Sequence, residues 1–308
     1  MISRRNIRVK VMQTLYTIAS LEQGPRPGEP VKLLQKHFDQ SRELLIYLLH
    51  FYTEVAAYAE TDAYVRSSKH LPSAADLNVN TKIAGNTVLW KIKEDPSFAA
   101  AREREKPQLR LDKDLVRRLY IQLAATPEYQ QYIAATERTP KEEQDIMVFL
   151  FEQLLLPSED FTGHLEEIFI NWDDDSEMVV QLARAFIQKP GTLDFREIVA
   201  ADKWEFAKTL LTTTLEKSEH LESFIVPRLK NWDAERIALL DMILMKMGVA
   251  EFLYFETIPP KVTINEYIDL AKEYSTQQSG QFVNGILDNI HKELLEQKKL
   301  HKTDFRKA

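Results

Sequence analysis

"IPPKVTINEYIDLAKEYSTQQSGQFVNGILDNI", residues 258–290, holds two prolines, a Gln-Ser-Gly break and two helical patterns. Proline lacks the amide donor and clashes with the preceding turn, so a helix must end before Pro259. Apolar residues then recur at three- and four-residue steps, which predicts a helix over 263–274. Val262, Ile264, Ile268 and Leu270 are expected to feed its core face. A second helix is predicted over 279–297, where Phe282, Ile286 and Ile290 continue the spacing. Phe282 fits a core position and a surface contact equally well. The segment carries no obvious catalytic group, and its pattern is that of packed helices.

The rest of the chain reads the same way. Its 308 residues suit one large domain or two smaller ones. Eight glycines and 13 prolines are too few for a many-turned β protein. Ser3 is the expected N-cap of a first helix reaching Ser20, with Ile7, Val11, Leu15 and Ile18 as its apolar stripe. Helices are further predicted over 31–38, 42–66, 114–124, 142–156, 159–171, 177–188, 195–214, 219–230 and 233–255. Residues 81–92 fit helix or strand. "HLEEIFINWDDD" (164–175) is echoed by "HLESFIVPRLKNWDAE" (220–235), which a partly duplicated helical hairpin or chance would explain.

Several chemistries are excluded or unsupported. With no cysteine there is no disulfide or thiolate metal site, and the composition fits a reducing cytoplasm. No apolar run approaches the roughly 18–20 residues of a membrane span, and no signal-peptide core is present. A cytoplasmic protein without a membrane is therefore expected. There is no glycine-rich phosphate loop, no nucleophile elbow and no His-x-x-x-His pair. Asp173, Asp174 and Asp175 read as a solvated helix start. No enzyme, cofactor, catalytic residue or metal site is expected.

Charge is unevenly distributed. The first ten residues carry +4 and residues 292–307 carry +3, so a net charge of −7 leaves −14 for the remainder. Local positive charge attracts polyanions even on an acidic protein. Arg4 and Arg8 lie one turn apart, while Arg5, Met12 and Tyr16 share a flank of the first helix. Guanidinium groups beside an aromatic ring suit single-stranded RNA. The same residues also fit a core edge whose arginines pair with acids.

"RRNIRVKVMQTLY" (4–16) resembles the opening of the NusB family of transcription antitermination factors. The run I-P-P-K-V-x-I-N-E-x-I-x-L-A-K, followed by S-x-x-F-V-N-G-I-L-D, resembles that family more specifically and is intact here. The resemblance implies an all-α fold of two packed helical subdomains and a non-enzymatic role. It further implies binding of boxA-type single-stranded RNA with ribosomal protein NusE, within the RNA polymerase antitermination complex of ribosomal RNA operons. Arg4, Arg5, Arg8, Tyr16, Tyr274, Gln278, Ser279 and Phe282 carry over as RNA-side residues. Asp241, Gln278 and Phe282 carry over toward NusE. Asn6 and Gln278 depart from the arginine and aspartate common in the family, which removes one phosphate contact and weakens one NusE contact.

The resemblance covers residues 1–38 and 200–297, with 39–199 expected as a helical insertion and 298–308 as a disordered basic tail. Gly285 is expected to admit another backbone at close range. Two other functions compete. A helical protein-interaction scaffold that has lost RNA binding fits the same helices. A NusB-like module also precedes the catalytic domain of some ribosomal RNA cytosine methyltransferases, but this sequence has no S-adenosylmethionine-binding glycine loop.

Overall fold

The structure is a computed structural model that describes residues 2–21, 24–229 and 237–303. Among these residues it is all-α, without strands. The chain divides into two compact units, one of Met1–Ile2 with Asp39–Ile198, the other of Ser3–Phe38 with Val199–Ala308. In chain order the helices are α1 (Arg4–Ala19), α2 (Glu29–Ser67), α3 (Ala74–Leu77), α4 (Thr87–Lys93) and α5 (Pro96–Glu105). Next come α6 (Lys113–Ala125), α7 (Pro127–Ala134), α8 (Pro140–Phe149), α9 (Glu159–Ile168) and α10 (Trp172–Gln188). The last five are α11 (Ala201–Glu216), α12 (Ser218–Ile225), α13 (Leu239–Tyr254), α14 (Pro260–Tyr274) and α15 (Ser279–Glu296).

The 39–198 unit is organised on α2. Leu44, Leu45, Ile46, Leu48, Leu49, Phe51, Tyr52 and Val55 are fully buried, as expected of a helix that is apolar on nearly every side. The two helices expected over 31–38 and 42–66 are a single helix. Asp39-Gln40-Ser41 interrupts the apolar pattern, but it contains no proline or glycine to stop the helix. Ser41 is buried and donates to Asp175 Oδ2 at 2.7 Å. The ambiguous 81–92 stretch is helical, a 3-10 turn (Lys82–Gly85) followed by α4. Asn86 caps α4 by accepting from the amides of Val88 and Leu89. Among the described residues no cluster of acids and histidines could hold a metal. Asp173, Asp174 and Asp175 form the first turn of α10, where the helix dipole favours carboxylates; Asp173 and Asp174 are solvated as expected, but Asp175 is buried and accepts from Ser41 and Asn171. The echo has a partial structural counterpart: short helices α9 and α12 each carry His-Leu-Glu, but only α12 follows a longer helix, α11. The second Asn-Trp-Asp, residues 231–233, lies outside the described residues.

In the other unit α13 packs against α1, α11, α12, α14 and α15. It is apolar around its circumference and holds only three charged residues, each of them partnered. Asp241 accepts from Ser279, Lys246 pairs with Glu222, and Glu251 pairs with Arg8. The prolines act as expected: Pro259 is extended and Pro260 opens α14. The core face of α14 differs from expectation. Ile264, Tyr267 and Leu270 are buried, whereas Val262 is exposed and Ile268 is half-buried. Thr263 and Tyr267 turn inward because both hydroxyls donate to the buried Glu251 carboxylate, at 3.0 and 2.9 Å.

Residues 298–303 are not a loose tail. Lys302 Nζ donates to the carbonyls of Glu251 and Phe255 at 2.8 and 2.7 Å, and the Thr303 amide donates to Glu256 O at 3.1 Å. The ammonium adds a second donor to two carbonyls at the end of α13, which also accept from the amides of Phe255 and Ile258. Burial lowers its pKa to about 8. Residues 304–308 lie outside the described residues.

Close approach falls at Gly248, not Gly285. A Cβ at Gly248 would lie 2.9 Å from both Leu287 methyl groups, while one at Gly285 would meet nothing within 4 Å. Gly285→Ala should therefore stabilise the protein by up to about 1 kcal/mol through helix propensity. Gly248→Ala gains the same propensity, but it overpacks a full core at a cost of about 1–3 kcal/mol. Its net effect is expected to be destabilising. Urea midpoints moving in opposite directions for the two variants would bear this out.

No helix among the described residues is long and apolar enough to cross a membrane.

Candidate nucleic-acid interface

Helix α1 begins with an electrostatic conflict. Ser3 caps it by accepting from the Asn6 amide at 3.2 Å, but its first turn contains no acid and two arginines. Cations at a helix N-terminus are disfavoured by the macrodipole. The fold answers with carboxylates from α13 and α14, and it treats the three arginines differently.

Arg8 is buried, at 1% exposure. Its Nε and Nη2 donate to Glu251 at 2.7 and 3.0 Å, and Nη1 donates to Glu266 at 3.1 Å. Burial alone would lower its pKa, but the hydrogen bonds and charge of Glu251 outweigh it and hold the guanidinium charged. The same carboxylate helps burial push the Tyr267 hydroxyl pKa well up. Arg8 was expected on the RNA side. It is instead the internal counter-ion of a carboxylate that α13 buries, leaving no face for a phosphate.

Arg5 is half-buried and donates to Glu273 Oε2 at 2.6 Å, with Asp269 at 4.0 Å. This contact brings the start of α1 to the last turn of α14, one residue before Tyr274. Arg4 is exposed. Among the described residues it has no ion pair, and its guanidinium lies over the Phe206 ring of α11, 5.6 Å from the centroid. Sequence reasoning missed Phe206, because an aromatic residue in an amphipathic helix carries no mark of its neighbour.

The structure sorts the remaining expected residues. Gln278, in the loop between α14 and α15, is exposed, while Tyr274 at the end of α14 and Phe282 in the first turn of α15 are half-buried. Ser279 and Asp241, expected toward ligands, are buried against each other. Ser279 Oγ donates to Asp241 Oδ2 at 2.8 Å and ties the starts of α15 and α13 together. Tyr16 is exposed at 46%. It lies 12 residues from Arg4 along α1, a rise of roughly 18 Å. The Arg5–Glu273 contact thus sets the start of α1, with Arg4 and Arg5, against the end of α14, which Tyr274 closes four residues before Gln278, while Tyr16 lies apart on α1.

Comparison with known proteins identifies the family. A profile described as "NusB family" matches residues 167–292. A transcription antitermination protein NusB from Salinibacter ruber is 43% identical over 99 residues, which is 32% of this chain and 62% of that protein. The protein of that name from Chloroherpeton thalassium is 33% identical over 137 residues, 44% of this chain and again 62% of the relative. One from an Exiguobacterium species is 43% identical over 88 residues, 29% of this chain and 69% of the relative. The chain thus spans about three fifths of the length of the first two relatives. No solved structure matches it. A relative at this identity, matched over more than two thirds of its length, agrees with the profile and with the all-α fold: the chain belongs to the NusB family.

Proposed function

We propose that this protein is a non-enzymatic transcription antitermination factor that binds boxA-type single-stranded RNA at the start of α1 and the 274–278 loop. It does so with ribosomal protein NusE, within an RNA polymerase complex that reads through terminators. The observation that supports the reading is the contact of Arg5 with Glu273, which sets the two arginines opening α1 against the end of α14, next to Tyr274 and the residues leading to Gln278. Cations, a helix N-terminus and an aromatic ring are what an extended polyanion with unstacked bases requires. The names of the relatives support the transcriptional role. Exposed Gln278 and half-buried Phe282 are the residues best placed for NusE. Asp241 contributes by fixing Ser279 and thus the loop, not by direct contact. The part of the 39–198 unit before residue 167, where the family match begins, is read as a helical insertion into the family fold.

Filter binding of the full chain to a boxA-type RNA across a salt series tests this. Release of counterions from single strands contributes about 0.7 to the log–log salt slope per neutralised phosphate. Arg4→Ala with Arg5→Ala should weaken binding and shrink the slope by up to about 1.4. Unchanged affinity and slope would remove α1 from the interface. No binding by the wild type, with or without NusE, would favour a protein-only scaffold.

A further inference from the structure

The three arginines of α1 differ in what compensates them. Arg5 and Arg8 meet carboxylates, while Arg4 meets an aromatic ring and, among the described residues, no acid. Phe206 is itself fixed. The Phe255 ring stands edge-on to it at 5.4 Å and 81°, and the Arg8 guanidinium lies 5.7 Å from its centroid. Arg8 in turn is locked by Glu251 and Glu266. Phe255 is held at the end of α13, where its carbonyl accepts from Lys302 at 2.7 Å. The exposed Arg4 guanidinium thus lies over a ring flanked by two groups, Phe255 and Arg8, that are themselves held in place.

We propose that Arg4 and Phe206 form a stacking plate for one unpaired RNA base, with the base lying on the outer face of the guanidinium. The proposal rests on the RNA-binding reading above and assigns a specificity role within it. A guanidinium that serves only a phosphate needs charge and reach, which lysine also supplies. A guanidinium that serves a base needs a fixed plane, because its π surface must lie parallel to the base. Backing by an aromatic ring orients that plane without cancelling its charge, as a carboxylate would. Arg5, hydrogen-bonded to Glu273 in α14, serves the backbone alone, whereas the charge of Arg4 still counts toward phosphate neutralisation.

The test is anisotropy titration of the full-length protein with a fluorescein-labelled boxA-type RNA, repeated with an abasic nucleotide at each position in turn. Wild type is expected to show one position whose base removal weakens binding by about ten-fold, the range of a single base–side-chain stack. Arg4→Lys keeps the charge, and Phe206→Leu keeps apolar volume against Phe255. Each should lose about ten-fold in affinity for the intact RNA. In both the abasic penalty at that position should disappear, with melting temperature and salt slope unchanged. The double variant should bind no more weakly than either single one, since the two groups act as one plate. Arg4→Lys and Phe206→Leu binding within two-fold of wild type, or keeping the full abasic penalty, would overturn the plate while leaving the RNA-binding reading intact. Failure of the wild type to bind would overturn both.

Discussion

Arg8→Ala is expected to lose about 3–5 kcal/mol of stability, the cost of leaving a buried carboxylate without its counter-ion. Glu251 is fully buried, and its carboxylate accepts two bonds from Arg8 and one each from Thr263 and Tyr267. Removing Arg8 leaves a charge that two hydroxyls cannot neutralise. Arg8→Lys should lose less than Arg8→Ala but more than a surface change. An ammonium keeps the charge but cannot make the bidentate contact. Arg4→Ala, at an exposed site, should stay within about 0.5 kcal/mol of wild type. Thermal and urea unfolding of the three variants separates these roles. An Arg8→Ala protein that melts like wild type and loses only RNA affinity would return Arg8 to the surface.

The second large effect concerns the 39–198 unit and acid. His50 of α2 is buried at 6% exposure, and neither ring nitrogen has a hydrogen-bond partner. Burial first, and the charges of Arg102 and Lys93 after it, push its pKa down to about 4. Glu54 Oε1, 3.8 Å away, does not reverse this. The unfolded chain takes up a proton near pH 6.5, while the folded one resists until about pH 4. The native state therefore loses stability relative to the unfolded one as pH falls from 6.5 to 4, by about 3 kcal/mol. Below that window the loss is complete. Urea midpoints of wild type and His50→Leu should differ far more between pH 7 and pH 4.5 in the wild type. An equal change in both proteins would show that His50 does not titrate in this way.

Much of this architecture was readable from residues 258–290, because prolines, a polar break and strict spacing locate α14 and α15 with no knowledge of their partners. The start of α1 was equally plain from Ser3. The fates of its arginines were not. Arg4, Arg5 and Arg8 share one local setting, and what separates them is the carboxylate or ring supplied from more than 190 positions away. One signal was present. Glu251 stands in the apolar run of α13, and a carboxylate there demands a buried cation. Family position points Asp241 toward NusE, and it carries no sign that the chain buries this carboxylate against Ser279. The union of 31–38 with 42–66 was hidden because a polar triplet interrupts hydrophobicity without interrupting helix geometry.

Hydrogen–deuterium exchange of the full-length protein, with and without saturating boxA-type RNA, locates the interface in one measurement. Protection is expected at the first turns of α1, at residues around Phe206 and across 274–282, with 39–198 unchanged. Protection confined to 39–198, or none anywhere under conditions where RNA is bound, would contradict an RNA interface at the start of α1.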